Sequence, residues 1–310
     1  MLRAVVLGAA AGGGFPQWNS AGPGCVRARS GDPSAAPRTQ CSLAVSADGV
    51  RWALLNAAPE LRWQIERTPA LHPVPVPGRS RHSPIAAVVL TGGEVDTVAG
   101  LLSLRERQAF GLYAAAPVLA VLEANPIFAV LDRALVPRRA LPLGQAVALE
   151  DGAGAPLGLS VTAFPVPGKV PLFLEGGRDP GRADNGETVG LRVTSGQGPP
   201  LVFVPGCAAF TEALGTELDG AGALLFDGTL FRDDEMIRAG VGAKTGARMG
   251  HMSIDGPDGT IAALTGLRIG RRVLIHLNNT NPALLDDSAE RAAVEAAGWE
   301  VAHDGMEIVL

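Results

Sequence analysis

The sequence predicts a mixed α/β chain folded as an αββα sandwich, two mixed β-sheets packed face to face with helices on the outer faces. Three observations lead there. Short apolar strands recur along the whole chain, helical periodicity follows each of two groups of them, and 40 Gly with 24 Pro in 310 residues force frequent turns. No period of about 20 to 50 residues repeats, which excludes solenoids and propellers.

Apolar runs at 4–7, 41–46, 52–55, 85–90, 159–164, 188–193, 201–204, 223–226 and 272–275 are bounded by Gly, Pro, Asn or Asp, as strands are. Helical spacing marks 96–107, 116–124 and 288–297. Pro117 falls in the first turn of the second helix, where proline is tolerated, and Asn125-Pro126 lies just past its end. Ser288 is the expected N-cap of the third, and Gly298 stops it. Two stretches read as linkers: 73–81 holds three prolines and 175–186 four glycines. Strands continue on both sides, so they are surface loops inside a single domain spanning 1–310.

Composition narrows the function classes. The hydrophobic share of 47% is ample for a core, while 26 basic residues face 31 acidic ones with no run of like charge. Nucleic acid is not an expected partner. No stretch reaches the roughly 20 uninterrupted apolar residues of a spanning helix, and the first strand carries Arg3 and ends in glycines, unlike a secretory leader. A cytoplasmic protein without membrane insertion is expected. Cys25, Cys41 and Cys207 are too scattered for a disulfide framework, in keeping with a reducing compartment.

The chemistry collects at strand tips. The run 85–90 delivers Thr91-Gly92-Gly93-Glu94-Val95-Asp96-Thr97 into a turn before a helix. Glu94 and Asp96 stand two apart, so an extended turn can aim both carboxylates at one cation. Asp96 could equally be the N-cap of that helix. Two further strands end the same way, one in Asp227-Gly228-Thr229, the other in His276-Leu277-Asn278-Asn279-Thr280-Asn281. His276 suits a metal ligand with amides beside it to orient it or a substrate, or else a hydrogen-bonded core histidine. His251, in a glycine-rich loop, could carry protons, sit behind a ligand, or lie on the surface. His72, His82 and His303 are given no ligand role. The cluster Gly8-Ala9-Ala10-Ala11-Gly12-Gly13-Gly14 lacks the Lys-Ser/Thr of a phosphate loop and dinucleotide spacing, and reads as a tight turn lining the pocket. Cys207 reads as a small buried hydrophobe before it reads as a nucleophile or soft ligand.

With these residues in place, the loop 91–100 resembles the Thr-His-x-His-x-Asp-His-x-x-Gly loop of the metallo-β-lactamase fold, with Asp227 and His276 matching its later ligands. Within that fold the chain resembles the coenzyme PQQ synthesis protein B family. The similarity rests on Gly12-Gly13-Gly14-Phe15-Pro16-Gln17-Trp18-Asn19, Pro37-Arg38-Thr39-Gln40, Leu101-Leu102-Ser103-Leu104-Arg105-Glu106, Phe226-Asp227-Gly228-Thr229 and the His276-Leu277-Asn278-Asn279-Thr280-Asn281-Pro282 motif, and runs the length of the chain. Two departures stand out. Thr97 occupies the place of the family's loop histidine. Ser20, Gly22 and Cys25 stand where the family has a Cys-x-Cys-x-x-Cys cluster resembling a structural zinc site, and one cysteine cannot hold zinc.

The resemblance implies iron-dependent, oxygen-using hydroxylation of a tyrosine-derived precursor of pyrroloquinoline quinone (PQQ), an oxidoreductase reaction. The expected metal set is Glu94, Asp96, Asp227 and His276, three carboxylates and one imidazole, compatible with ferrous iron. Under that reading Asp227 binds or orients the metal, and His251 and Asn278 contact substrate or move protons. The alternative is a carrier that binds PQQ or its precursor and serves transport towards the periplasm. A zinc hydrolase ranks last, because all three loop histidines are missing. The sequence leaves a homodimer open.

Overall fold

The structure is a computed structural model that describes residues 1–168, 173, 186–196 and 198–310. The expected loop at 175–186 therefore lies, Gly186 apart, outside the described residues. The strands are β1 (Arg3–Gly8), β2 (Ser42–Ser46), β3 (Trp52–Leu55), β4 (Ile85–Leu90), β5 (Gly111–Ala114), β6 (Arg138–Ala140), β7 (Ala146–Glu150), β8 (Pro156–Pro165), β9 (Val189–Thr194), β10 (Leu201–Val204), β11 (Ala223–Asp227), β12 (Arg271–Ile275), β13 (Glu300–Val301) and β14 (Glu307–Val309). They form two seven-stranded mixed sheets, ordered β14-β1-β2-β3-β4-β5-β6 and β13-β12-β11-β10-β9-β8-β7.

Both sheets follow one plan. In the first, β14, β1, β2 and β3 pair antiparallel, and β3 to β6 pair parallel. In the second, β7 to β10 pair antiparallel and β10 to β13 parallel. The parallel half of each sheet needs crossover connections, and most of the helices lie there.

Continuous apolar strands follow from burial on both faces. Along β2, Leu43 and Val45 point into the core between the sheets, while Ala44 points out to the helical layer. The inter-sheet core includes Val89, Val161, Phe203, Leu225, Val273 and Ile275. Outside the first sheet, Leu54, Val88, Leu90 and Leu112 pack on Leu61, Leu101, Val118 and Leu122. Outside the second, Val202, Val204, Leu224 and Leu274 pack on Leu214, Leu218, Leu264 and Val294. The predicted αββα sandwich is what the chain forms.

The helix expected at 96–107 differs. An α-helix runs only Val95–Val98 and continues as a 3-10 helix over Ala99–Leu104. Gly100 explains the change, because its amide bonds Ala57 O at 2.8 Å and a Cβ there would meet Ala58 O at 2.1 Å. That close approach to the segment after β3 overrides α-helical bonding. The other two helices form at Ala116–Ala124 and Ala289–Ala296, the latter with Ser288 Oγ accepting the Arg291 amide as expected. Unread in the sequence were β5, β6, β7 and β13, together with short helices at Pro23–Arg29, Leu61–Arg67 and Glu212–Leu218. The proline-rich loop 73–81 is exposed over most of its length. No described helix is long and apolar enough to cross a membrane.

Phe203 has no exposed surface and sits in the inter-sheet core. Phe203→Ala is expected to lower the unfolding free energy by about 3–5 kcal/mol through lost burial and a residual cavity. Urea denaturation followed by circular dichroism measures it, and a loss below about 1 kcal/mol would contradict this packing.

Candidate metal centre

The C-terminal ends of β4, β11 and β12 converge where the two sheets meet, the customary position for a ligand beside parallel strands. Asp227 closes β11 and has no exposed surface. Four donors satisfy it. Its Oδ1 accepts the Thr229 amide at 3.0 Å and the Thr229 hydroxyl at 2.6 Å, and its Oδ2 accepts the Cys207 amide at 2.8 Å and faces His251 Nδ1 at 2.7 Å. Burial pushes this carboxyl up, but the charge and hydrogen bond of His251, the charge of His276 and the Thr229 hydroxyl outweigh it, so it lies below the usual carboxylate range.

Asp96 arrives from the other sheet. It is the second residue of helix Val95–Val98, with Glu94 in the cap position, so it is a pocket residue and not an N-cap. Its Oδ2 lies 3.0 Å from His276 Nε2. Burial raises the Asp96 carboxyl, and the His276 hydrogen bond with the charges of His276 and His251 brings it below its ordinary value. Burial lowers the His276 imidazole, and Asp96, Asp227 and Glu94 raise it above its ordinary value. His276 adopts φ 62°, a left-handed conformation that costs a non-glycine residue about 1–3 kcal/mol. It turns the chain at the end of β12 just where its ring must enter the site.

Thr229 joins these groups. Its hydroxyl oxygen lies 2.8 Å from His276 Nδ1 and 3.0 Å from His251 Nδ1, besides its bond to Asp227. The two imidazoles stack with centroids 5.4 Å apart and planes 25° apart. Asp227, His251 and His276 each offer one ligand atom within 4.8 Å of the others, a geometry able to hold a metal ion. The expected set contained one imidazole, and the geometry adds a second. His251 reaches the site because the helix Gly246–Met249, capped by the Thr245 hydroxyl, ends at Gly250 with φ 85° and turns the next residue inward.

Glu94, Asp96, Thr97, His251, His276 and Asn278 line one cavity of about 710 Å³. Ala11, Gly12 and Gly13 line it too, with a Cβ on Gly12 falling 3.6 Å from Asp96 Oδ2. Gln40 holds that turn by accepting the Gly13 amide through Oε1 at 3.0 Å. Asn56, at φ 66°, accepts the amide and hydroxyl of Thr91 and fixes the end of β4. Cys207 is buried, and burial pushes its thiol far above the range in which a thiolate forms. His72, His82 and His303 bond backbone groups elsewhere. Cys25 is buried with its thiol 3.6 Å from Asn279 Oδ1, and the Ser20 hydroxyl accepts the Gly22 amide.

Comparison with known proteins shows the family. A Beta-lactamase superfamily domain matches residues 51–277. The coenzyme PQQ synthesis protein B of Gluconacetobacter diazotrophicus is 58% identical over 309 residues, covering 99% of each chain. The chain belongs to the coenzyme PQQ synthesis protein B family. The Methylobacterium nodulans member is 53% identical over the full length of both chains. The crystal structure of zinc-bound PqqB from Methylobacterium extorquens matches with a TM-score of 0.94 at 52% identity, covering 99% of this chain and 100% of that one. Family membership and the metallo-β-lactamase-like sandwich thus stand on the whole chain.

That Thr229 and His251 meet Asp227 and His276 was not legible in the sequence as such. A threonine two residues after a ligand aspartate was the available signal, since an Asx-type turn places its hydroxyl back on the carboxylate. Thr229→Val is expected to weaken zinc binding about 10- to 100-fold, measured by calorimetric titration of the metal-free chain. Unchanged affinity would remove Thr229 from the centre. Metal ligation needs neutral imidazole, and His276 holds its proton to higher pH than an ordinary histidine. Zinc affinity should therefore fall as pH drops from 8 to 6, by up to about tenfold per unit for each proton displaced. Equal affinity at both ends would show that the imidazoles are not ligands.

Proposed function

We propose that the chain acts in PQQ synthesis as an iron-dependent oxidoreductase, hydroxylating a tyrosine-derived precursor with dioxygen. The observation that carries this reading is the pairing of two imidazoles with a buried carboxylate at one side of an open cavity. Two histidines and a carboxylate are the donor set of non-haem ferrous oxygenases. Asp227, His251 and His276 would hold the ion, with Asp96 orienting His276. Bound there, ferrous iron supplies the redox chemistry with oxygen that hydroxylation requires.

The protein's own contribution is position and polarity. The cavity lies within the usual size range of a small-molecule site. Val95, Met236 and Met249 give it apolar walls for an aromatic ring, while Lys244 and Asn278 offer polar groups to a precursor's carboxylates and amides. Asp227 keeps a donor hydrogen on His251 Nδ1, leaving the opposite ring nitrogen for the metal or a proton. Zinc in the Methylobacterium extorquens relative does not count against iron, because zinc outcompetes ferrous ion at most nitrogen and oxygen sites.

The carrier reading draws on Thr97, which lines the cavity where the family resemblance places a histidine. A hydroxyl is a weak donor to divalent metals, so the centre would bind its ion loosely. In that case the cavity holds PQQ or its precursor without turning it over.

The test is reconstitution of the full chain with ferrous iron without oxygen, followed by precursor, ascorbate and oxygen. Ascorbate supplies the two electrons that reduce the second oxygen atom to water. A product one oxygen heavier is expected. With iron loading verified, absence of that product together with tight quinone binding by metal-free protein would leave the carrier reading. Thr97→His is expected to raise metal affinity by about tenfold or more, roughly 1.4 kcal/mol, in the same titration.

A further inference from the structure

The segment after β11, Phe231-Arg232-Asp233-Asp234-Glu235-Met236, turns a carboxyl inward. Glu235 opens the helix Glu235–Arg238 and is 8% exposed. Its Oε2 accepts the Phe231 amide at 2.7 Å, and its Oε1 accepts the Thr280 hydroxyl at 2.5 Å. The Thr280 oxygen in turn accepts Asn278 Nδ2 at 2.6 Å, and Asn278 lines the cavity. Asn278 Nδ2 also contacts Met236 Sδ at 3.0 Å, and its Oδ1 accepts Asn279 Nδ2 at 3.3 Å. A hydrogen-bonded chain thus leads from a buried acid to the cavity wall.

We propose that Glu235 is a positioning residue that sets, through Thr280, which end of the Asn278 amide the cavity meets. Thr280 has one hydrogen to give. With Glu235 ionised, that hydrogen goes to Oε1, and Asn278 can only donate to Thr280, the arrangement seen. With Glu235 protonated, the Phe231 amide still requires Oε2 as acceptor, so the acid hydrogen sits on Oε1 and points at Thr280. Thr280 then accepts it, and its own hydrogen has two acceptors in reach, the weak Met236 thioether at 3.7 Å and the stronger Asn278 carbonyl once that amide turns. Asn278 receives it through Oδ1 when the amide rotates by half a turn, which exchanges its donor and acceptor ends and gives up the contacts with Met236 Sδ and Asn279 Nδ2 for the shorter Thr280 bond.

Both states are accessible near neutrality. Burial and the neighbouring Asp234 charge push the Glu235 carboxyl up to about 7, against the pull of the Thr280 hydroxyl and the Phe231 and Arg232 amides. Asp234 is the charged group acting on it from its own segment, and the loop after β12 presents neutral Thr280 and Asn278. The inference rests on the reading of this cavity as the substrate site. It adds that substrate groups of opposite hydrogen-bonding sense are favoured on the two sides of the Glu235 titration.

The test needs no catalysis. In the full-length, nitrogen-15-labelled chain, the Asn278 side-chain amide signal is assigned by its absence in Asn278→Ser and followed from pH 5.5 to 8.5. The wild type is expected to move with a single midpoint near 7. Glu235→Gln donates to Thr280 at every pH, so its signal should stay flat at the wild-type low-pH position. Thr280→Val cuts the link and should also give a flat signal. If Glu235→Gln does not fold, Thr280→Val decides alone. A static wild-type signal, or a variant that keeps the wild-type midpoint, overturns the inference. A chain that shows the coupled titration yet hydroxylates nothing would keep it and lose the hydroxylase reading.

Discussion

A buried, ionised carboxylate is the constraint around which this molecule is arranged. Asp227 has no contact with water, and an unpaired charge in that position would cost several kcal/mol. Its four donors come from three separate segments: the turn after β10, the turn after β11 and the loop carrying His251. Each must be in place before the charge is tolerable. The parallel half of the second sheet supplies that order, because β10 and β11 pair in register and end side by side. Satisfying Asp227 therefore builds most of the candidate metal centre from the protein's own groups.

The first sheet contributes Asp96, which meets His276. Backbone contacts reinforce it, since Ala10 forms isolated bridges to both Gln40 and Leu277. The Asp304 carboxylate adds a further clamp by accepting the amides of Ala9 and Thr39 and the Thr39 hydroxyl. Motif residues far apart in sequence, the glycine turn, Thr39-Gln40 and the Asp304 region, thus serve one purpose. They hold one wall of the cavity, Ala11 to Gly13 with Gln40, against strands from two different sheets.

Strands were legible because burial on both faces demands continuous apolar runs, and β3, β4 and β10 carry runs with the same limits as the strands observed. Their tips were legible as chemistry because a charged residue ending such a run has no core role. What the sequence left hidden was set by tertiary contact. Gly100 bonds a neighbouring segment and breaks the expected helix, β6 and β13 are too short and too polar to show alternation, and His251 enters the site through a left-handed glycine. Glu235 follows Asp233 and Asp234 in the chain with nothing in the sequence to set it apart, and only the fold turns it inward.

The same logic explains why fold and chemistry separate here. The sandwich needs the strands and their inter-sheet core, and nothing in that core depends on what sits at residue 97. The centre needs donors, and donors come from turns whose backbone is fixed by Asp227, Asn56 and Gln40 and not by the metal. A substitution at Thr97 would therefore change the cavity while leaving the architecture intact. The strained His276 backbone works in the opposite direction. Its conformation costs free energy in the folded chain, and the contacts of its ring with Asp96 and Thr229 offset that cost. A strand end that met no functional demand would relax to an ordinary conformation, so the strain belongs to the site and not to the sandwich.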